Sequence, residues 1–346
     1  MRNWYGPPIA VHGVPGNIVA LKGGDFHGRL DHGVEGTAYQ LAEDILRRER
    51  RRRMAALGRR TRQLGAITTL DQAIAAAGGT GRREFNFSKT GATGVVAATN
   101  SLWGVGAAPA AGANAAAAPG GEAPNDATTG AFLFDNPSSG TQHFLMGYPV
   151  ASVAANTLLL YDRIFQVNKT MNSTATEAVT GVPTRHQSTV AADADYVGGN
   201  FLFVEVGGTP LAATAHNWTT CTYTDQGNAA STLPSLTGNS GAIVRRLDHP
   251  VGQWFAPLET GDVGIRALTQ MQCSAAVATG VINFVIGHPI AWMPCPVANM
   301  AVPAGGLTSG LSLARIFDDA ALAFLEVCKG ATTATNYTGT FTTIRG

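Results

Sequence analysis

Phe201-Leu202-Phe203-Val204-Glu205-Val206 and Val281-Ile282-Asn283-Phe284-Val285-Ile286-Gly287 are the clearest strands in this chain. Each is a short run rich in β-branched and aromatic residues, bounded by turn formers. Seven further runs with similar punctuation occupy 131–135, 143–150, 158–167, 218–223, 242–247, 263–270 and 272–278. Clusters such as Asn136-Pro137-Ser138-Ser139-Gly140 separate them. No helical pattern alternates with these runs, which argues against a doubly wound parallel sheet. The expected fold is mainly β, an antiparallel β-sandwich or jelly-roll-like body. Its core should include Phe201, Phe203, Val204 or Val206, Phe284 and Ile286.

Outward from that body, the composition agrees. Glycine supplies 42 of 346 residues and charged residues only 14%, against about 7% and 25% in an average domain. Low charge with much Gly, Ala and Thr describes short strands and turns, not a typical cytosolic enzyme. The net charge of +1 hides an asymmetry: residues 1–100 carry 15 basic and 8 acidic side chains, residues 101–346 carry 9 and 15. Arginine outnumbers lysine 20 to 4, which favours fixed, bidentate pairing.

Residues 1–36 read as an extended arm, punctuated by Gly and Pro, with Trp4 and Tyr5 at its start. Such an arm is ordered only against a partner surface or the chain's own body. Residues 37–125 read as an N-terminal helical and linker region, and 126–346 as the β body. A basic helix is expected over 37–57, opened by the capping-box pattern of Thr37 and Gln40. Its arginines, Arg47, Arg48, Arg50, Arg51, Arg52 and Arg53, crowd toward the end that the macrodipole prefers for cations. With Trp4 and Tyr5 they are the expected partner contacts. Nucleic acid is one candidate partner for this run. Protein is preferred, because no aromatic platforms or base-reading module accompany the arginines. A short helix is expected at about 69–77, closed by Gly78-Gly79, then a strand at Arg83–Lys89 and an Ala/Gly/Pro tract over 104–130. A late amphipathic helix is expected over 311–328, and the Thr-rich end from Thr332 is strand-prone.

Catalytic patterns are missing. There is no GxxxxGK[ST], no GxGxxG opening a helix, no HExxH and no GxSxG. Glu205, Asp248, Glu259 and Asp262 cannot be joined from sequence into an acid–base couple. The Asp25–His32 cluster lacks the rigid surroundings of a metal site. His249-Pro250 and His288-Pro289 read as structural, because proline pins the preceding backbone as extended. Cys221, Cys273, Cys295 and Cys328 match no zinc module and read as buried thiols. Hence no enzyme activity, cofactor or metal is expected. No stretch approaches the ~18 uninterrupted apolar residues of a spanning helix, and the Pro- and Gly-broken start gives no leader pattern.

One resemblance covers roughly residues 65–300. Leu70-Asp71-Gln72-Ala73-Ile74-Ala75-Ala76 leads to Ser101-Leu102-Trp103 and the Ala/Gly/Pro tract. Gly130-Ala131-Phe132, Leu158-Leu159-Leu160-Tyr161-Asp162-Arg163-Ile164 and a Thr-rich stretch ending Gly181-Val182-Pro183-Thr184-Arg185 follow. This order resembles virion structural proteins of tailed bacteriophages. The resemblance implies a virion component assembled in the host cytoplasm, with homo-oligomeric contacts and other virion proteins as partners and no membrane. A capsid-associated decoration or cement protein is preferred, since the middle of the chain lacks the long spine helix of the usual major capsid fold. Major capsid protein and tail or baseplate component are the alternatives. A glycan-binding β-sandwich adhesin, using Trp218, Trp254 or Trp292, is a further one.

Overall fold

In the structure, a computed structural model, the two quoted runs lie side by side. Residues 67–137, 140–186, 199–305, 313–327 and 329–346 are described. Phe201 stands opposite Gly287 and Val206 opposite Ile282 in an antiparallel register. In chain order the described elements begin with helix α1 (Leu70–Ala77) and strands β1 (Arg83–Thr90), β2 (Asn100–Ser101), β3 (Gln142–Ala151), β4 (Asn156–Thr170) and β5 (Glu177–Ala178). Then come β6 (Phe201–Val206), β7 (Asn217–Trp218), β8 (Thr222–Asp225), β9 (Ala230–Thr232), β10 (Leu236–Thr237) and β11 (Ile265–Met271). The last are β12 (Val281–Cys295), β13 (Ala304–Gly305), β14 (Arg315–Ile316), β15 (Leu322–Val327) and β16 (Asn336–Arg345). Every pairing between these strands is antiparallel, so the mainly β, antiparallel expectation holds.

A central sheet runs β2-β15-β4-β12-β6. Its long strands β4 and β12 are paired over nearly their full length, with bulges between Ile286 and Gly287 and between Pro289 and Ala291. One face of this sheet meets two others. Leu158, Leu160, Met293, Leu322 and Phe324 share a core with Phe87, Phe144, Tyr337 and Phe341 of the sheet β1-β16-β3-β13. Further along, Phe165, Val167, Val204, Phe284 and Ile286 share a core with Tyr223, Ile265 and Leu268 of the sheet β5-β11-β8-β9. The opposite face buries Leu159, Tyr161, Phe201, Phe203 and Val285 beneath Trp103 and Leu247, which lie outside the named strands. All the residues expected in the core are buried.

The Ala/Gly/Pro tract does not stand apart from the body. Glu122 and Gln166 exchange backbone hydrogen bonds, and Asn168 N–H donates to the Ala116 carbonyl, extending the β4 edge where β15 has ended. Gly112 donates to the Trp103 carbonyl at 2.9 Å. A Cβ there would lie 2.2 Å from the Trp103 ring, so this close approach requires glycine. Gln63–Gly346 is one compact unit, and β1 and β2, which precede residue 125, share sheets with strands that follow it.

The short helix is where its cap puts it. Thr69 Oγ1 accepts from Gln72 N–H at 3.3 Å and Gln72 Oε1 accepts from Thr69 N–H at 3.0 Å, a reciprocal capping box. Ala73 faces inward to Leu145 and Ile344.

Three expectations need correction. No helix forms in the described part of 311–328; Leu322–Val327 is β15, inserted between β2 and β4. Apart from Glu326, its side chains are apolar on both faces, Leu322 and Phe324 on one and Ala323, Leu325 and Val327 on the other. That two-sided pattern belongs to a central strand, and sheet pairing overrides the helix propensity of Leu and Ala. The runs at 131–135, 242–247 and 272–278 form isolated bridges instead of strands, and 218–223 divides around Thr220, whose φ is 47°. β12 continues past Pro289 and Pro294, because β6 pairs only up to Gly287 and leaves that side of the strand free of a ladder. The arm at 1–36, the basic helix at 37–57 and the Asp25–His32 cluster lie outside the described residues.

Candidate functional site

Trp4, Tyr5, Arg47, Arg48, Arg50, Arg51, Arg52 and Arg53 also lie outside the described residues. Within them, the chemistry is internal. The described lysines, Lys89, Lys169 and Lys329, are each no more than 3% exposed, and a lysine is almost never buried without a partner.

Lys169 pairs with Glu177, and four further clusters of buried polar and charged groups stand out. In the first, Arg163 pairs with Glu205 at 2.5 Å, donates from Nε to Gln166 Oε1 at 2.6 Å, and lays its guanidinium 4.8 Å from the Trp103 ring centroid. The bulge at Ile164 puts Arg163 and Gln166 on the same side of β4. In the second, Asp162 accepts two bonds from Arg185, at 3.0 and 2.8 Å, and one from the Ala321 N–H at 2.8 Å. Burial pushes this carboxyl up, but the Arg185 charge and the hydrogen bonds of His186 and Arg185 outweigh it and hold it at about 2. His186 stacks on His288 at 4.1 Å, and burial pushes His288 down to about 3.

The third cluster centres on Asp248. Its Oδ2 accepts from His216 Nε2 at 2.9 Å and Trp218 Nε1 at 2.7 Å, while Oδ1 accepts from Asn239 N–H at 2.5 Å. His216 Nδ1 faces the Thr214 carbonyl at 2.9 Å. Burial lowers this imidazole, but the Asp248 hydrogen bond and charge and the Thr214 carbonyl raise it above its ordinary value. Neighbouring His249 is pushed down to about 4 by burial, and its Nε2 accepts from the Val204 N–H at 2.9 Å.

The fourth cluster joins β2, β15 and β16. Glu326 Oε1 accepts from Lys329 Nζ at 3.1 Å and from the Tyr337 hydroxyl at 2.7 Å. Its Oε2 accepts from Asn100 Nδ2 at 2.6 Å. Asn100 and Glu326 are paired across β2 and β15, and both are fully buried. Arg246 Nε donates to Asn100 Oδ1 at 3.5 Å. Burial, then the Glu326 charge, push the Tyr337 phenol far above its ordinary value. Lys329 also reaches Thr335 Oγ1 at 3.4 Å.

In the first three clusters the groups close on one another as structural pairs. In the fourth, one carboxylate holds an amine by one oxygen and a carboxamide by the other. Sequence reasoning misses it, because Glu326 falls within the expected 311–328 helix and Asn100 lies far away in the chain. The available signal was lysine scarcity: one of only four lysines follows three residues after a glutamate in an apolar run.

His249 and His288 take up structural contacts, and Cys221, Cys273 and Cys295 are buried free thiols. Trp218 is buried, whereas Trp254 and Trp292 are partly exposed with ring centroids 5.5 Å apart and planes tilted 47°. Among the described residues no group of His, Cys, Asp and Glu could hold a metal ion, and no helix is long and apolar enough to cross a membrane. No family model, curated protein or solved structure matches the chain.

Proposed function

We propose that this protein is a structural component of a bacteriophage virion, a capsid-associated decoration or cement protein that stabilises the shell through subunit contacts. The architecture that fits is a jelly-roll-like β-sandwich, with the β1-β16-β3-β13 sheet facing the central one. One observation carries the reading. The described lysines and the arginines Arg163, Arg185, Arg246 and Arg266 are buried, while Leu133, Val263 and Leu70 are exposed at 77%, 66% and 57%. Interface centres are depleted in charged side chains because these are costly to desolvate. An exterior that sets isolated apolar side chains among Ala, Gly and Thr, with charge limited to features such as the Arg82–Glu84 pair and scattered carboxylates, suits close contact with neighbours.

In this reading residues 1–36, with Trp4 and Tyr5, lace to neighbouring subunits. The arginines at 47–53 pair with carboxylates, which the acidic part of the chain supplies in excess. Copies of this chain and other shell proteins are the partners, and the virion is its location. The test is mass spectrometry of particles banded by density from the virus-producing culture, with electron microscopy of the same fraction. The chain should band with capsids at stoichiometric abundance. Recovery only as free protein, separate from particles, would overturn the reading. Recovery on detached tails would replace capsid with tail, and retention on a glycan array would favour an adhesin using Trp254 and Trp292.

A further inference from the structure

The Glu326 cluster has a property that the other three lack. An amine nucleophile, a carboxamide electrophile, a proton carrier and a cation near the carboxamide oxygen are held together in a site without solvent access. Lys329, Asn100 and Glu326 are 1%, 0% and 0% exposed. The site is closely walled: a Cβ added at Gly91 would lie 2.6 Å from Glu326 Oε1. We propose that Lys329 and Asn100 condense into an intramolecular isopeptide bond, with Glu326 as the proton carrier. The proposal is independent of the virion reading.

Lys329 Nζ is the nucleophile once it has given a proton to Glu326 Oε1 across their 3.1 Å contact. A buried ammonium and carboxylate can relieve their desolvation cost by becoming neutral in this way. The freed lone pair attacks Asn100 Cγ, forming a C–N bond, and the carbonyl electron pair moves to Oδ1. There the Arg246 guanidinium, donating from 3.5 Å, opposes the developing negative charge. The Cγ–Nδ2 bond then breaks. Glu326 Oε2 already contacts Nδ2 at 2.6 Å, so the same carboxylate delivers protons to the leaving nitrogen. Of the three ammonium hydrogens, one stays on the new amide nitrogen and two pass to Nδ2, which departs as ammonium. Charge and atoms balance with no oxidant or co-reactant. Fixing the amine and amide on one carboxylate supplies the proximity whose absence makes such an uncatalysed exchange negligible in solution.

The other described lysines have no such arrangement. Lys89 Nζ donates to the Val105 and Pro109 carbonyls, and Lys169 pairs with Glu177. Asn156 also lies near Lys329 through Thr335 Oγ1, but its carboxamide is held by Val153 O and Gly330 N–H and has no contact with Glu326 among its described bonds. The bond therefore belongs at Asn100, where it would tie β2 to the segment after β15.

The test is the intact mass of the purified full chain, followed by tryptic mapping. The wild-type chain should be lighter than its sequence by the mass of one ammonia. Trypsin should fail to cut after Lys329, and a branched peptide should join Asn100 to Lys329. Glu326→Gln should show the full sequence mass and normal cleavage at Lys329. If that variant does not fold, the wild-type mass and branched peptide still decide the matter. A folded wild-type chain that keeps its full mass after prolonged incubation would overturn the proposal. So would an ammonia loss mapped to any other residue, Asn156 included.

Discussion

Along β4 alternate side chains enter two different environments. Leu158, Leu160, Phe165 and Val167 enter apolar cores shared with other sheets. On the other face Leu159 and Tyr161 give way to Arg163, Gln166 and Asn168, all buried. That face is covered by irregular chain around Trp103, Asn114 and Glu122, which brings backbone and side-chain polar groups to it. A sheet covered by another sheet needs only shape complementarity, because the ladders satisfy the backbone. A sheet covered by irregular chain must also satisfy unpaired backbone groups, and buried Asn, Gln and Arg do so. The first face specifies position mainly by volume, with Asp162–Arg185 and Lys169–Glu177 as its buried pairs, and the second mainly by pairing.

The contrast is sharpest in mutation. Phe341 stacks on Phe85 at 4.9 Å, meets Phe132 edge-on at 4.9 Å, and is fully buried. Phe341→Ala should cost about 3–5 kcal/mol, read as a lower midpoint in urea unfolding with the slope preserved. A second apolar truncation nearby, such as Leu160→Ala, should only add to the loss.

The polar face should behave differently. Arg163→Met strands the buried Glu205 carboxylate and should cost about 3–5 kcal/mol. Adding Glu205→Leu removes the stranded charge, so the double variant should recover a large part of that loss. If the double variant were as unstable as the sum of the singles, pairing would not be what holds this face together.

This difference also decided what the sequence could disclose. The runs at 158–167, 200–206 and 281–288 were legible as strands because apolar, β-branched residues dominate them. Leu322–Val327 was not, since Leu, Ala and Glu favour helices locally and only its neighbours β2 and β4 make it a strand. Polar partners were least legible. Nothing near Arg163 in the chain points to Glu205, and Asn100 and Glu326 meet only through the register of β2 and β15. The capping box of Thr69 and Gln72, by contrast, is a local device and was read directly.

Acid separates the clusters by the direction of their shifts. His249 and His288 are depressed from 6.5 to about 4 and about 3, so they support the fold above 6.5 and that support fades as pH falls through their folded values. Asp162, depressed from 3.8 to about 2, adds its own loss only below about pH 4. His216 is raised, so its contribution is full below 6.5 and is lost as pH rises through its folded value. Urea midpoints should therefore fall from pH 7 to pH 4.5, and His249→Gln, which keeps an acceptor for Val204 N–H without titrating, should show a shallower fall. An unchanged slope in that variant would remove His249 from the account.

The smallest expected effect on stability lies at Leu133, where the comparison reaches the exterior. Phe132 and Phe134 turn inward and are 4% and 5% exposed, while Leu133 between them is 77% exposed. The alternation is that of an extended chain, fixed by a bond from Phe132 N–H to the Leu322 carbonyl at 3.3 Å. Leu133 therefore contributes nothing to either face of the central sheet. Leu133→Ser should change folding free energy by less than about 0.5 kcal/mol. An exposed leucine is unremarkable by itself, but on this part of the exterior it stands beside the exposed carboxylate of Asp135, so a neighbour seated here meets an apolar side chain next to an acidic one. If that exterior meets other subunits, Leu133→Ser should fold as wild type and yet incorporate less well into particles, measured as copies per capsid. Equal incorporation would take this residue out of the contact surface and leave the interface to be sought elsewhere on the exterior.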